Sequence, residues 1–287
     1  LQSEGLEIHR FFPSRIRGIN FRANYRNHRK IVVIDGNIAY TGGFNVGNEY
    51  IGLDKYFGRW RDTHMRIQGD AVAGLQLRFL LDYRSATNQK ITLLDHFMGL
   101  PRYKGTTGLQ IVSSGPDSKN EHIKQGYLKM ISKARRYILI QTPYFIPDES
   151  ILEALKIASG SGVEIHLMIP NKPDHPFVYW ATYSYIGQLL PYDIKVYTYE
   201  PGFIHAKVLI VDDEVASVGT CNFDIRSFKL NFEVNAFIYD SEPVKVLRNQ
   251  FFQDTQVCKE LTKEHYANRG IVIKAKEAVS RLFSPVL

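Results

Sequence analysis

The sequence predicts an α/β protein of two pseudo-symmetric units, each a mixed, mostly parallel sheet flanked by helices, with a functional site between them. Three observations predict it. A polar pattern occurs twice with the same offsets: His28-Arg-Lys30-Ile-Val-Val-Ile-Asp35 followed by Gly42-Gly-Phe-Asn45, and His205-Ala-Lys207-Val-Leu-Ile-Val-Asp212 followed by Gly219-Thr-Cys-Asn222. Around each copy the same order of strand, turn, strand, loop, strand and helix signals recurs. Between the copies, short apolar runs alternate with stretches of helical periodicity, the signature of βαβ units with right-handed crossovers. Core patterning constrains apolar positions and leaves polar ones free, so repeated polar identities at fixed spacing point to chemistry.

Taken in order, Gly5-Leu-Glu-Ile-His-Arg-Phe-Phe-Pro13 alternates apolar and polar residues and is expected as a strand, as is the similar run from Gly162 to Pro170. Lys30 to Ile34, the Asp35-Gly36 turn and Ile38 to Thr41 read as a hairpin, after which Gly42-Gly43 lets the backbone bring Asn45 back towards the strand. Arg61 to Ile67 is expected as one alternating strand and Ala71 to Arg84 as a helix. The Pro/Gly-punctuated stretch from Gly99 to Gly108 places the boundary, giving units of residues 1–104 and 105–287. In the second unit, strands are expected at Leu109 to Val112, Tyr137 to Gln141, Val163 to Ile169, Ile194 to Thr198, Ala206 to Val211, Val215 to Val218 and Phe232 to Tyr239. Helices are expected at Asn120 to Ala134, Pro147 to Ser159, Phe177 to Leu190 and Glu242 to Asp254. The tail, Ile271 to Leu287, carries Lys274, Lys276 and Arg281 among apolar residues. It is expected to dock on the body as a helix with its stripe in the core, although a helix lying on a membrane surface has the same pattern.

With 287 residues, 44% hydrophobic and 23% charged, the chain can bury a core without staples. Cys221 and Cys258 fit neither a disulfide framework nor a metal site, and read as thiols of a reducing compartment. Phe44 occupies in the first motif the place of Cys221 in the second, which argues against a catalytic thiol. No run approaches the roughly 20 apolar residues of a bilayer span. Leu1-Gln-Ser-Glu-Gly is neither a signal peptide nor a natural start, so the chain reads as a fragment beginning inside a domain. A net charge of +7 favours an anionic partner: nucleic acid, a membrane surface or a phosphate-bearing substrate. Arg10, Arg15, Arg17, Arg22, Arg26, Arg29 and Lys30 crowd the approach to the first motif, with no acidic residue between Glu7 and Asp35.

Strand side chains alternate faces, so His28 and Lys30 project together, as do His205 and Lys207. Asn45 and Asn222 follow a short return strand and a turn that can lay a carboxamide alongside. Two such halves make one pocket, and its groups suit phosphodiester cleavage. One neutral imidazole attacks phosphorus to give a phosphohistidine, while the other protonates the leaving alkoxide and then deprotonates the incoming hydroxyl. Histidine's ordinary pKa permits both roles near neutrality. The lysines and asparagines would hold the non-bridging oxygens. No carboxylate cluster with Mg²⁺ or Ca²⁺ spacing accompanies the motif, so neither metal nor cofactor is invoked. Asp62 and Glu233, each five residues before an isoleucine, are expected to orient the two histidines, with Glu233 on His205. Glu49 is the rival to Asp62. Asp35 and Asp212 fall at turns and are given the structural role of capping turn amides.

The doubled motif resembles the signature of the phospholipase D superfamily. Asn27 to Asp35, Gly42 to Asn45 with Glu49-Tyr50, Trp60 to His64, Ser114 to Asp117, Gln141-Thr-Pro-Tyr-Phe-Ile-Pro-Asp148, Pro201 to His205, and Asn222 to Phe228 with Asn231 to Asn235 resemble, more narrowly, the bacterial cardiolipin synthases. The resemblance implies two phospholipase D-like units that transfer a phosphatidyl group from one phosphatidylglycerol to the terminal hydroxyl of another, releasing glycerol. It implies His28 as nucleophile and His205 as acid and base. Arg26, Arg29 and Tyr144 are expected to bind the substrate. The implied partners are anionic phospholipid and a membrane surface, with no nucleic acid, at a bacterial cell membrane to which N-terminal helices anchor the parent chain. A hydrolase or nuclease of the same superfamily would keep the motifs but replace an apolar groove near Phe145, Phe177, Tyr179 and Trp180 by a basic trench. Two intact motifs argue against a non-catalytic lipid-binding module.

Overall fold

The computed structural model describes residues 2–11, 24–87, 103 and 105–284. Pro13, Arg15, Arg17, Arg22, half of the Gly99 to Gly108 connector and residues 285–287 lie outside them. Gln2–Glu4 is a single 3₁₀ turn, and residues 5–11 form no strand, because no ladder partner runs beside them among the described residues.

The first half begins with the hairpin of β1 (Ile31–Ile34) and β2 (Ile38–Gly42), followed by β3 (Arg59–Arg61), β4 (His64–Gln68) and helix α1 (Ala71–Thr87). Strands β1, β2 and β4 form a three-stranded antiparallel sheet. The run expected as one strand from Arg61 to Ile67 is therefore two. Asp62 and Thr63 leave the ladder, and β3 pairs elsewhere.

The second half runs β5 (Leu109–Ser114), α2 (His122–Lys133), β6 (Tyr137–Gln141), β7 (Phe145–Ile146), α3 (Glu149–Gly160), β8 (Glu164–Pro170), α4 (Pro176–Leu189), β9 (Lys195–Tyr199), β10 (Gly202–Ile204), β11 (Val208–Val211), β12 (Val215–Gly219), β13 (Phe223–Asp224), α5 (Ile225–Lys229), β14 (Glu233–Ile238), α6 (Ser241–Thr255), β15 (Cys258–Glu260), α7 (Lys263–Ala267) and α8 (Ile271–Leu282). Its main sheet has the order β15-β9-β8-β6-β11-β12-β14-β5. Only β6–β8 and β8–β9 are parallel, so the expectation of a mostly parallel sheet is corrected. Those are the pairs bridged by α3 and α4, whereas short turns such as that between Val211 and Val215 reverse the chain and give antiparallel ladders.

Helices α2 and α3 cover one face, burying Ile123, Tyr127, Ile151 and Leu155 over Ile138, Ile140 and Leu167. On the other, Val244 and Phe251 of α6 pack with Leu139, Ile210 and Ala216. The small sheet and α1 bring Ala39, Ile67, Val72 and Leu75 onto Val234 and Ala236, so the two halves share a core. Helix α8 docks against α4 but turns Glu277 and Ser280 inward, leaving the stripe expected in the core exposed.

Both motif hairpins turn through left-handed residues, Asp35-Gly36 at φ 51° and 64° and Asp212-Asp213 at 55° and 61°, conformations that Gly and Asp tolerate best. The Asp212 carboxylate accepts the backbone N–H groups of Arg135, Arg136 and Tyr137 at 2.6, 2.8 and 2.8 Å. The amides it caps thus belong to the α2–β6 connection and not to its own turn. Among the described residues no comparable set forms around Asp35, which is exposed and whose carbonyl accepts the Asn37 side chain at 2.6 Å. Asp212→Asn keeps the left-handed turn but removes an oxygen acceptor facing three donors; it is expected to lower unfolding free energy by about 2 kcal/mol, measured as a reduced denaturant midpoint at unchanged slope.

Candidate active site

Each motif starts where one half's chain crosses to the other. Asn27 forms an isolated parallel bridge with Phe232, and β10 pairs in parallel with β3, placing Ile204 opposite Arg61. The next residue on each motif chain is the histidine. Its backbone N–H donates across the crossing, His28 to the Phe232 carbonyl at 3.0 Å and His205 to the Arg61 carbonyl at 2.8 Å. The next residue on each receiving chain is an acid, Glu233 and Asp62.

Nδ1 of His28 lies 2.9 and 3.0 Å from the two oxygens of Glu233, and Nδ1 of His205 lies 2.7 Å from Asp62 Oδ2. Ionised carboxylates only accept, so each Nδ1 carries the hydrogen and Nε2 is the nitrogen left free in each neutral ring. The pairing expected for Glu233 is corrected: it holds His28, and Asp62, not Glu49, holds His205. Thr220 Oγ1 and Asn231 Nδ2 donate to Glu233, and the Thr63 N–H donates to Asp62 at 2.8 Å. Thr220, Asn231 and Thr63 lie within the segments quoted from the sequence, but their role as donors to the acids follows only from the fold.

The motif glycines make this approach possible. Gly42 pairs with His64 and Gly219 with Asn235, so each acid stands two residues before the glycine's partner. A Cβ at Gly42 would meet the Thr63 carbonyl oxygen at 2.5 Å, and one at Gly219 would meet the Val234 carbonyl oxygen at 2.4 Å. Any side chain there would push the acid-bearing segment away.

Both lysines reach back to their own strand: Lys30 Nζ donates to the His28 carbonyl at 2.8 Å and Lys207 Nζ to the His205 carbonyl at 2.5 Å. Burial pushes both ammonium groups down in pKa, and each is supported by Asp62 and Glu233 together, which locates both between the two carboxylates' fields. For fully buried Lys207 the pKa falls to about 7. Burial and then Lys207 drive the His205 imidazole down to about 3 despite Asp62. Burial alone would raise both acids. His28 and Lys30 outweigh it at Glu233, as His205 and Lys207 do at Asp62, and hold both carboxyls below their ordinary range.

The remaining expected residues separate. Asn222 is buried, with Nδ2 donating to Asp224 at 3.0 Å and Oδ1 unpartnered among the described residues, whereas Asn45 is exposed on the loop after Gly43 and bonds the Tyr50 hydroxyl. Arg29 is not available to substrate. Its buried guanidinium donates to Asp82 at 2.8 and 3.0 Å and to the Ser114 and Glu233 carbonyls, tying α1 and β5 to the acid's backbone. Arg26 stays exposed beside the crossing, its carbonyl accepting the Phe232 N–H. The Tyr144 hydroxyl donates to Asp174, and burial and Asp174 raise its pKa. Glu49 lies on the same loop as Asn45. Tyr50, Trp60 and Phe203 wall His205 at ring distances of 5.6, 5.2 and 6.3 Å, and sequence reasoning gave them no role. All three fall in segments quoted for the resemblance, and Trp60 and Phe203 sit opposite each other on the β3–β10 ladder that leads to Asp62 and His205.

Comparison with known proteins gives a consistent picture. The family model described as "Cardiolipin synthase, PLD-like domain" matches residues 127–255. The chain is 58% identical over 291 residues to the major cardiolipin synthase ClsA of Bacillus subtilis, covering all of this chain and 60% of that protein. It is 56% identical to a cardiolipin synthase of Staphylococcus aureus strain N315, covering 58% of it. The chain thus spans about 60% of the length of these curated relatives. Among solved structures, the phosphatidylserine synthase of Haemophilus influenzae superposes with a TM-score of 0.68 at 17% identity, over 92% of this chain and 71% of that one, which establishes the shared fold.

Two measurements check this geometry. In double-mutant cycles on stability, Asp62→Ala with His205→Ala should couple by about 1–3 kcal/mol, while Asp62→Ala with His28→Ala should be additive within about 0.5 kcal/mol. Lys207 is folded with a pKa below its unfolded value, so its buried charge costs stability in full below pH 7, and the cost fades as pH rises towards 10.5. Lys207→Met should therefore raise Tm by roughly 5 °C at pH 6, with the gain shrinking steadily above pH 7 in calorimetry.

Proposed function

Because the chain belongs to the phospholipase D superfamily, within its cardiolipin synthases, we propose that the whole protein transfers a phosphatidyl group from one phosphatidylglycerol to the terminal hydroxyl of a second, forming cardiolipin and releasing glycerol. The observation that supports this reading most is the pair of imidazoles whose Nδ1 atoms are each engaged by a carboxylate from the opposite half. Two bases fixed in one tautomer, beside two buried ammonium groups, suit an anionic phosphodiester passed from one hydroxyl to another.

In this reading His28 is the nucleophile. It is the more open ring, its side chain 29% exposed against 10% for His205. Its Nε2 attacks phosphorus, the P–N bond forms, and the glycerol oxygen leaves with a proton from His205. Glu233 stabilises the charge on the His28 ring. A second phosphatidylglycerol hydroxyl then gives its proton back to His205 Nε2 and attacks phosphorus, the P–N bond breaks, and His28 is restored. Lys30, Lys207 and the Asn222 Nδ2 hydrogen not given to Asp224 serve the phosphoryl oxygens. Lys207 and burial keep His205 neutral in the empty site. A bound phosphodiester anion offsets the lysine's field and lets His205 hold the proton that it must deliver.

Arg26 and Tyr144 are placed in this reading at the substrate's edge, and the acceptor is an anionic phospholipid in a membrane surface. The test is a product assay with the whole protein and phosphatidylglycerol. Cardiolipin and glycerol should appear in equal amounts, and His28→Ala or His205→Ala should reduce the rate by about 10³-fold or more. An acid-labile phosphoryl adduct should map to the peptide carrying His28. Phosphatidic acid as the sole product would overturn transfer in favour of hydrolysis.

A further inference from the structure

Helix α8 is docked inside out for a helix in water. Its fully buried residues are polar. Glu277 is ion-paired with Arg269 at 2.8 Å and accepts from the Tyr266 hydroxyl at 3.2 Å, and Ser284, just past the helix end, bonds the Tyr185 hydroxyl at 3.1 Å. Glu277, Ser280 and Ser284 are buried, while Ile271 is 83% exposed and Leu282 79%, with Val272, Val279 and Phe283 exposed as well. At about 100° per residue, Ile271, Ala275, Ala278, Val279 and Leu282 occupy one outward sector, with Val272 and Phe283 at its margin. Packing on α4 cannot account for that sector, because α4 is already met by the opposite face.

Charge identifies the medium that covers it. Exposed Lys274 and Arg281 flank the sector on one side and exposed Lys276 on the other. The only acid in the helix, Glu277, faces inward and is neutralised by Arg269. An apolar sector bordered by cations is the pattern of a helix lying in the boundary of an anionic bilayer, where long basic side chains reach the headgroups. A globular partner would need matching acids; a bilayer of acidic lipid supplies them everywhere.

The docking also aims the helix. Lys276 stands over the Trp180 ring at 5.2 Å and Arg281 over the Tyr185 ring at 5.5 Å, so α8 and α4 run parallel. Extended backwards, the same register brings Val272 and Ile273 level with Pro176 and Phe177 at the start of α4, where Phe177 is also exposed. That start follows Asp174, which bonds Tyr144 and whose charge reaches Lys207. The register thus directs the start of the apolar face towards the start of α4, two residues of chain after Asp174.

We propose that α8 is a membrane-docking helix that lies in the interface of an anionic lipid bilayer and holds the catalytic opening against the lipid surface. The proposal deepens the phosphatidyltransferase reading by naming how a lipid substrate is met, and rests on it only for the orientation towards the site.

The test uses the 287-residue chain and vesicle flotation. Wild type should float with vesicles of equal phosphatidylglycerol and phosphatidylcholine and bind pure phosphatidylcholine at least tenfold more weakly. Val272→Glu with Leu282→Glu, both at exposed positions, should cut binding to the mixed vesicles at least tenfold. A second readout locates the contact: an environment-sensitive dye on Leu282→Cys, in a Cys258→Ser background, should shift to the blue with mixed vesicles only. Binding unchanged by the double substitution, an unshifted dye, or a dimer of wild type that the double substitution dissociates would overturn the proposal. Turnover of wild type on dispersed short-chain phosphatidylglycerol separately tests the transferase reading, since it needs no bilayer.

Discussion

Everything at the centre of this molecule depends on two short parallel pairings that cross between its halves, Asn27 with Phe232 and β10 with β3. Each sets a histidine beside the other half's acid by a single backbone hydrogen bond and one further residue of chain. Neither half could hold its own imidazole this way. The shared core of Ala39, Ile67, Val72 and Leu75 against Val234 and Ala236 is what keeps the crossings in register. A side chain at Gly42 or Gly219 would break that register from within.

The sequence carried the parts of the site more fully than their assembly. Offsets within one strand are geometric facts of that strand, so the projection of His28 with Lys30 and of His205 with Lys207 was legible from spacing alone. The exchange of acids was not. His28 and Glu233 are 205 residues apart and His205 and Asp62 143, and no local pattern encodes which of two similar ladders a strand joins. Arg29 failed for the same reason. Its place in a basic run suggested a ligand for phosphate, but Asp82 on α1 and two carbonyls from distant strands claim its donors. Asp62 sits where one alternating strand was expected, and the break that misled the pattern is the feature that frees its carboxylate for His205.

Electrostatically the centre is built against stability. Two ammonium groups, two carboxylates and two imidazoles share a volume in which Lys207 and Glu233 are wholly buried. The carboxylates compensate the lysines only in part, since burial still dominates the shifts of Lys30, Lys207 and His205. The charges balance in number, so the cost comes from their removal from water, and buried ammonium groups held below their ordinary pKa are the ones that gain when an anion enters.

The tail shows the limit of periodicity from the other side. A stripe of apolar residues fixes the shape of an amphipathic helix but not which face meets the protein. In α8 the decision is made by groups outside the helix: Arg269 and Tyr266 bind Glu277, Tyr185 takes Ser284, and the rings of Trp180 and Tyr185 accept Lys276 and Arg281. Turning the stripe inward would bury Ile271 and Leu282 but break the Glu277–Arg269 ion pair and the hydrogen bonds of Tyr266 and Tyr185 that fasten the helix. The inverted helix is therefore the stable arrangement in water as well, and a lipid surface would find it already formed.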